Sequence, residues 1–458
     1  MGIMVQYAPN HGGSMYLKRK IDAFLENWKS QSSRKPLIIK GARQIGKTET
    51  IRHFAAEHYE HVVEINFVDS PVFKAITADG YKPQSIIAAI SRIDNSFVFE
   101  PGKTLLFFDE IQEHPDITTS LKFFCLDGRF DVICSGSLLG LHYRQISSNS
   151  VGYRVEHEMH SLDFSEFLTA KGYPETIAGE MLSHLADSAP FSAAEMAVFP
   201  KRFLDFCITG GMPEVVRSHV ESGTFEGLID LQRQINSAYR DDVRKYATGI
   251  EQTRIINVLE HIPTQLAKEN KKFMLSSIAR GARFKDYWGC VEWLRDAGIV
   301  NVCYCLNFPE LPLRGNYDAS RYKLYLADSG LLVAQLDDEA QADIRAHRNI
   351  HTYKGGLFEN IVAEAIKKSG GDLSYFRRED SKLEEDFFLR SQSNIVPIEV
   401  KATNGRSKSL RTLIESDHYP DIAFGVKIAD CNIGFENGIH TIPHFCAFLL
   451  KEWLSQIA

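Results

Sequence analysis

Two glycines, a lysine and a threonine near the N-terminus have the types and spacing of a phosphate-binding loop. The segment "KPLIIKGARQIGKTETIRHFAAE" fits G-x-x-x-x-G-K-[ST] after a short apolar run and before a helical pattern. Glycines let the backbone wrap around phosphates, and the N–H groups at a helix start face the anion. Lys47 can reach the β- and γ-phosphates of ATP, and Thr48 can ligate Mg²⁺. The residues predicted to contact the nucleotide here are Gly41, Gln44, Ile45, Gly46, Lys47, Thr48 and Glu49.

Two acids follow an apolar strand further along the chain. In "KTLLFFDEIQEHP" the run Leu105 to Phe108 ends in Asp109 and Glu110. A continuous apolar run is typical of a parallel strand buried on both faces, and open α/β sheets bind ligands at the carboxyl ends of their strands. We expect Asp109 to hold Mg²⁺ and Glu110 to polarise the water that attacks ATP.

A third strand, "FDVICSGSLLG", ends in Ser135 and Ser137, and arginines follow it. Ser137 is a candidate contact for the γ-phosphate, although a serine turn after a strand is almost as good an interpretation. Either Arg144 or Arg154 could supply the arginine that stabilises charge during phosphoryl transfer, and we favour Arg154.

A second set of charged residues lies near the C-terminus, in "NIVPIEVKAT". Side chains alternate along a strand, so Glu399 and Lys401 share one face. With its flanking helices and strands, this segment resembles the PD-(D/E)xK nucleases. The resemblance implies that Asp386, Glu399 and the helix-borne Glu359 bind Mg²⁺ or Mn²⁺, and that Lys401 is catalytic. A salt-bridged pair at a sheet rim is the alternative interpretation of Glu399 and Lys401.

The elements that position these residues indicate several domains. We predict an α/β multidomain protein: a P-loop NTPase with a parallel sheet and a helical lid, a winged helix-turn-helix and an α/β restriction-endonuclease-like domain. The predicted boundaries are an N-terminal tail over 1–20, the ATPase over 21–170, the lid over 171–235, the winged helix over 236–310, a linker over 311–348 and the nuclease-like domain over 349–458.

The predicted winged helix carries a local excess of basic residues within an acidic chain. Three amphipathic helical patterns precede a β-prone segment, which is the order expected of a winged helix. DNA phosphates would attract such a cluster, but a solvated face or an intramolecular docking surface explains it equally well. The DNA-binding candidates are Lys268, Lys271, Lys272, Arg280, Arg283 and Lys285.

Five segments together resemble prokaryotic AAA-type ATPases, also called archaeal-type ATPases and related to the STAND NTPases. They are "GARQIGKTE", "TLLFFDEIQE", "SGSLLG", "SLDFSEFL" and "GGMPEVV". The resemblance implies ATP hydrolysis, and it favours a nucleotide contact for the Gly210–Gly211 turn. Many AAA-type relatives form rings, so self-association is a further expectation. The segment "VGYR" departs from the shorter family pattern by inserting Tyr153, which bears on Arg154.

The length and composition of the chain limit the number of domains and the class of protein. The chain has 458 residues, of which 44% are hydrophobic and 24% charged, and its net charge is −7. This predicts a folded protein of two to four domains. We expect no membrane span, and scattered cysteines indicate reduced thiols in the cytoplasm.

Two functions fit these observations. The first is an ATPase directed to double-stranded DNA, in which the exchange of ATP for ADP regulates a nuclease-like domain. The alternative is a regulatory ATPase switch that cuts nothing and uses the winged helix and a degenerate nuclease fold to bind protein or DNA.

Overall fold

The computed structural model describes residues 15–136, 150, 152–268, 271–278, 281–336, 339–346, 351–378 and 383–457. The chain divides into two units with dense internal contacts. One comprises the residues up to Ser161 together with Asp296–Gly298, and the other comprises Leu162–Arg295 and the residues from Ile299 onward. The first unit therefore ends before the boundary expected at residue 170.

A parallel sheet forms the centre of the first unit. Its strands are β1 (Leu37–Lys40), β2 (His61–Asn66), β3 (Thr104–Asp109), β4 (Asp131–Gly136) and β5 (Val155–Glu158). They lie in the order β2-β3-β4-β1-β5, and every neighbouring pair is parallel. The side chains of Leu105 to Phe108 on β3 are fully buried. The prediction of a strand buried on both faces is confirmed, and the N-terminal parallel sheet is typical of a P-loop NTPase.

Helices connect these strands. They are α1 (Lys20–Ser30), α2 (Lys47–His58), α3 (Pro83–Ile93) and α4 (Ile117–Asp127), with 3-10 turns at Pro71–Thr77 and Ile111–Glu113. The strand β4 lies between β1 and β3, so the loop after β1 and the acid at the end of β3 are separated by one strand. Because all the strands are parallel, their carboxyl ends meet at one edge of the sheet.

The second unit begins with a series of helices. They are α5 (Phe164–Ala170), α6 (Ile177–Ala186), α7 (Ala193–Thr209), α8 (Pro213–Ser222), α9 (Leu228–Tyr246), α10 (Ile250–Leu266) and α11 (Phe284–Asp296), with a 3-10 turn at Leu275–Ser277. The helices α6 to α9 cover most of the range expected to form a lid. Phe206 of α7 packs edge-on against Phe448 with ring centroids 5.5 Å apart, and Phe191 packs against Phe445 at 4.9 Å. These helices therefore share a core with the C-terminal segment.

The remaining elements of the second unit form two sheets and several helices. The strands are β6 (Val300–Leu306), β7 (Tyr317–Leu326), β8 (Ser374–Arg377), β9 (Glu384–Glu385), β10 (Phe387–Ser391), β11 (Asn394–Val400), β12 (Gly425–Ala429), β13 (Gly434–Glu436) and β14 (Ile439–Pro443). The helices are α12 (Ser329–Val333), α13 (Ala340–Arg345), α14 (His351–Lys368), α15 (Lys408–Ile414) and α16 (Leu450–Gln456), with 3-10 turns at Leu313–Asn316 and His444–Leu449.

One of these sheets crosses the expected domain boundaries. Its order is β7-β6-β8-β9, in which β6 pairs antiparallel with β7 and parallel with β8. The expected linker over 311–348 thus contains the strand β7, whose last five residues are buried. The strand β6, which the winged-helix prediction included, pairs with β8 of the predicted nuclease-like region. The other sheet has the order β10-β11-β12-β14-β13.

The Gly210–Gly211 turn is explained by close packing inside the second unit. A Cβ on Gly210 would lie 2.1 Å from Asp328 Oδ1, and one on Gly211 would lie 2.0 Å from the Leu162 carbonyl oxygen. Gly211 also donates its N–H to Asp328 Oδ2 at 2.8 Å. Only glycine fits these two positions, because the neighbouring atoms leave no room for a side chain.

Among the described residues, none of the helices combines the length and the apolar character needed to cross a lipid bilayer.

Candidate functional sites

The phosphate-binding loop is held in a conformation that needs glycine. It joins β1 to α2, and Gly46 at the N-cap of α2 has a φ of 91°. Gly41 has a φ of 155°, and a Cβ there would lie 2.2 Å from the Met159 carbonyl oxygen. The predicted contact residues Gln44 and Glu49 are exposed, whereas Ile45 is buried. A loop bent in this way at a helix start presents backbone N–H groups to an anion.

Lys47 lies inside this loop. Its side chain is almost fully buried, and its Nζ donates to the carbonyl oxygens of Gly41 at 3.1 Å and Ala42 at 2.7 Å. The carbonyl oxygens of its own loop therefore hold the Lys47 ammonium in place, and its contact with a phosphate stays a prediction.

Asp109 is surrounded by hydrogen-bond donors without charge. The Thr48 hydroxyl donates to Asp109 Oδ2 at 3.0 Å, and the Asn66 amide donates to the same oxygen at 3.2 Å. The Ser135 hydroxyl and the Glu110 N–H donate to Oδ1. Burial, and secondarily the charge of Glu110, raises the pKa of Asp109, although the Ser135 and Thr48 hydrogen bonds oppose this.

These residues fit a magnesium ion. The carboxylate of Asp109 and the hydroxyl of Thr48 are in direct contact, and both are oxygen ligands of the kind that Mg²⁺ prefers. The pair lies at the carboxyl edge of the sheet, beside the phosphate-binding loop. Thr48 and Asp109 would therefore hold the ion that accompanies a nucleoside triphosphate.

Glu110 stands in a backbone conformation that is uncommon for its type. Its φ of 55° and ψ of 45° are left-handed, and the Gln112 amide donates to its carboxylate. Such strain is concentrated at functional positions, where the surrounding structure enforces it. The contact with Gln112 orients the carboxylate that is predicted to polarise water.

The other predicted residues of this unit have different positions. The Arg154 guanidinium donates from Nε to Glu156 Oε1 at 2.9 Å and to the Ser150 hydroxyl at 2.9 Å. Its catalytic role stays a prediction. Ser137, like Arg144, lies outside the described residues.

Sequence reasoning missed two residues that support this site. Asn66 ends β2 directly opposite Asp109 in the sheet register, and Arg19 is buried beside the loop. Arg19 donates to the Ile45 carbonyl oxygen at 3.0 Å and to the His160 carbonyl oxygen at 2.6 Å. A polar residue at the end of a β-prone strand was the available signal for Asn66, whereas Arg19 stands before the first helix with no signal of its own.

In the second unit, the E-x-K pair on β11 makes an ion pair. Lys401 Nζ lies 2.7 Å from Glu399 Oε1. Glu399 is buried, and its other oxygen has no hydrogen-bond partner among the described residues. The predicted same-face arrangement is confirmed, and so is the contact that the alternative interpretation expected.

The helix-borne acid Glu359 is fully buried between two lysines. Lys323 Nζ lies 3.0 Å from its Oε1, and Lys271 makes an ion pair with its Oε2. The Tyr325 hydroxyl also donates to Oε1 at 2.5 Å. Burial raises the pKa of Glu359, but Lys271 and Lys323 outweigh it and hold the pKa at about 2.

Asp386 contacts the same buried lysine. Lys323 Nζ lies 3.6 Å from Asp386 Oδ1 and 3.2 Å from Glu384 Oε1. The Val400 N–H donates to Asp386 Oδ2 at 3.0 Å. Burial and the nearby Glu359 charge raise the pKa of Asp386 to about 6. Two of the predicted metal ligands, Glu359 and Asp386, thus join Glu384 in an ion-pair network around the Lys323 ammonium, whereas Glu399 pairs with Lys401.

Whether these acids fit a metal can be judged from their ligand atoms. Among the described residues, groups of three or more His, Cys, Asp or Glu with ligand atoms within 4.8 Å of one another occur at Glu26–Glu57–His58 and at Glu60–His61–Glu100. Glu359, Asp386 and Glu399 do not form such a group. As arranged here, these three carboxylates do not fit one shared divalent ion.

The neighbouring Glu385 has a different environment. It is 1% exposed, and neither of its carboxylate oxygens has a hydrogen-bond partner among the described residues. Burial, with the charges of Glu399 and Asp386, raises its pKa well above the usual value. Glu385 therefore differs from the acids on either side of it in the sequence, since Glu384 and Asp386 contact Lys323.

The six DNA-binding candidates are in unequal surroundings. Lys271 is bound to the buried Glu359, so it is not available to a phosphate. Lys268 and Lys285 are exposed, Lys272 is half-buried, and Arg280 lies outside the described residues. The exposed Arg283 pairs with Asp286 at 3.3 Å.

Another basic surface lies beside α15, in a groove of about 560 Å³. Four basic side chains line it, together with Glu415 and Glu436. We call this cavity the α15 groove, and its basic side chains are Arg406, Lys408, Arg411 and Lys427.

Comparisons with known proteins give three domain matches. A model described as an AAA domain matches residues 33–168. Two domains of unknown function, DUF8612 and DUF4143, match residues 200–342 and 354–446. With the loop and acid geometry above, residues 33–168 form an AAA-type P-loop ATPase domain.

Similar whole proteins include one relative and two solved structures. The uncharacterized protein MJ1544 of Methanocaldococcus jannaschii is 23% identical over 362 residues, covering 77% of this chain and 71% of that protein. The Walker-type ATPase PABY2304 of Pyrococcus abyssi is 11% identical and has a TM-score of 0.42. The match covers 70% of this chain and 96% of that chain. The Aeropyrum pernix Orc1 protein, solved in complex with DNA, is 13% identical and has a TM-score of 0.31. The match covers 74% of this chain and 94% of that chain.

Proposed function

We propose that this protein binds ATP with Mg²⁺ and hydrolyses it, and that the bound nucleotide controls the second unit as an effector. The observation that carries the proposal is the contact of Thr48 with Asp109 beside the loop that buries Lys47. Bound Mg²⁺ supplies charge neutralisation to the phosphates. Lys47 binds the β- and γ-phosphates, and Glu110, oriented by Gln112, accepts a hydrogen bond from the attacking water.

Arg154 is the arginine we propose to stabilise the charge that develops on the transferred phosphoryl group. Its present partner, Glu156, holds the guanidinium in a fixed direction. To act in catalysis Arg154 must exchange this carboxylate for phosphate oxygens, which accept the same planar pair of donors.

Two variants test the ATPase. Lys47→Ala should lower the rate of phosphate release by at least about a hundredfold, because a charged donor to the phosphates is lost. Glu110→Gln should lower it similarly while a fluorescent ATP analogue still binds. Lys82→Ala, at an exposed position, is the matched control. Normal hydrolysis by Lys47→Ala would overturn the assignment of this loop.

We propose double-stranded DNA as the partner of the second unit. The α15 groove supports this, because three of its four basic side chains are exposed. Lys268 and Lys285 add exposed positive charge on the helical part. Phosphate contacts release counterions, so such binding weakens steeply as salt rises.

A salt series distinguishes DNA from a protein partner. Each phosphate contact contributes about 0.9 to the slope of log affinity against log salt, so Lys408→Ala with Arg411→Ala should reduce the slope by about 1.8. Fluorescence anisotropy with a labelled duplex measures it, and Lys122→Ala in the first unit is the control. A slope that the double variant leaves unchanged would favour the alternative of a switch that binds protein.

A further inference from the structure

We infer that the ammonium groups of Lys323 and Lys271 occupy the place of a divalent cation in the acid network of the second unit, so that this domain holds its acids without a metal. Lys323 and Lys271 belong to the second unit, and their contacts do not depend on the proposed ATPase or on the α15 groove.

Lys323 is the centre of this network. It lies on β7 with a side chain only 1% exposed, within a run of buried apolar residues. Glu359 comes from α14, Glu384 from β9, and Asp386 follows β9. Carboxylates from three places in the chain thus approach one nitrogen at 3.0, 3.2 and 3.6 Å. Oxygen atoms from separate elements that converge on one buried charge are the arrangement by which proteins bind hard cations.

Lys271 completes the charge balance at Glu359. It contacts Oε2, while Lys323 and Tyr325 contact Oε1. Both carboxylate oxygens are therefore already bound to cationic or hydroxyl donors. Lys401 forms a similar pair with Glu399 on the neighbouring strand.

A metal could enter this network only by displacing Lys323. The ammonium has no route to water while it keeps its buried position, and a divalent ion bound to the same oxygens would repel it. Leaving an ion buried without its partner is strongly destabilising. Mg²⁺ also gives up its hydration shell reluctantly, and the bound lysines leave few oxygens to replace it. The network therefore serves to join elements of the second unit, and it does not generate a metal-bound hydroxide.

Manganese binding tests the inference on the full chain without nucleotide. Loss of the electron paramagnetic resonance signal of free Mn²⁺ counts the ions bound per chain. Wild type and Asp386→Asn should bind equal numbers, and any ion at Thr48 and Asp109 is common to both. Lys323→Met, which removes the charge but keeps a long side chain, should bind one more Mn²⁺ per chain than wild type does.

The added site should disappear in the double variant Lys323→Met with Asp386→Asn. Lys367→Met, on α14 but outside the network, is the matched control and should match wild type. A Mn²⁺ ion that wild type binds and Asp386→Asn loses would overturn the inference, as would a folded Lys323→Met variant that gains no ion. Circular dichroism checks folding; if Lys323→Met does not fold, the comparison of wild type with Asp386→Asn decides alone.

Discussion

Asp109 in the first unit and the Glu359–Asp386 network in the second unit are both buried carboxylate sites, but their counter-groups differ in kind. Asp109 is bound by the hydroxyls of Thr48 and Ser135 and by the Asn66 amide, which carry no charge. The network is bound by the ammonium groups of Lys323 and Lys271.

The difference decides whether a carboxylate site can bind a metal ion from solution or is already paired with a lysine of the protein. Uncharged donors offset part of the cost of burying Asp109 but leave its negative charge available to an ion. The lysines offset much of the charge of their carboxylates, so the attraction for a further cation is weaker. In the second unit, acids in the order expected of metal ligands enclose a buried amine, which the order of the acids alone does not reveal.

Removing the charge at the first site should have the largest effect. Asp109→Asn keeps the shape of the side chain but lowers the attraction for Mg²⁺, so the rate of ATP hydrolysis should fall by about a thousandfold, or about 4 kcal/mol of transition-state stabilisation. Phosphate release at saturating ATP and Mg²⁺ measures this. The control Asp116→Asn changes an exposed acid of the same unit and should hydrolyse normally. Equal rates for the two variants would contradict the role of Asp109.

The two sites should also respond differently in stability. Lys323→Met removes the buried ammonium that pairs with Glu359, Glu384 and Asp386, so it should lower the free energy of unfolding of the second unit by about 3–5 kcal/mol. Ser135→Ala removes only one uncharged donor from Asp109 and should cost about 1–2 kcal/mol in the first unit. Urea unfolding followed by hydrogen exchange reports each unit separately. A larger cost for Ser135→Ala would refute the contrast between ionic and neutral counter-groups.

Glu364 on α14 is an intermediate case, with one cation and one uncharged donor. It is fully buried, accepts from Lys368 Nζ at 2.6 Å and from the Ser329 N–H at 2.9 Å, and lies near the Asp328 charge. Burial raises its pKa to about 7, although Lys368 opposes this. The folded state thus binds the proton more tightly than the unfolded state does.

Its contribution to stability should be complete below about pH 4.5 and decline as pH rises through 7. Between pH 5 and 8 the free energy of unfolding should fall by about 2 kcal/mol more in wild type than in Glu364→Gln, which does not titrate. Urea titrations across this range measure the difference. Parallel pH profiles for the two proteins would show that the Glu364 carboxyl keeps its usual pKa.

The first site could be predicted from the sequence because its parts are short contiguous motifs. The loop from Gly41 to Thr48 and the strand ending in Asp109 each carry their own signal, and a parallel sheet brings such ends together. Asn66 and Ser135 complete the site through strand order, which depends on long-range packing that no local pattern specifies.

The second site could be predicted only in part. The positions of Glu359, Asp386 and Glu399 follow a recognisable order, but their counter-ions come from outside it. Lys323 gave a usable signal, since a lysine within the apolar run "RYKLYLAD" must find a buried partner. Lys271 gave none, because it stands in an ordinary basic cluster and its contact with Glu359 depends on how the helices pack.

The continuous sheet β7-β6-β8-β9 has a consequence for how this part of the chain can be inherited. The two domains of unknown function match separate stretches, yet β6 of one pairs with β8 of the other. A gene fragment that begins after residue 348 would encode β8 with its partner edge exposed, and exposed strand edges promote aggregation. We therefore expect the stretches 200–342 and 354–446 to fold correctly only when both are present in one chain.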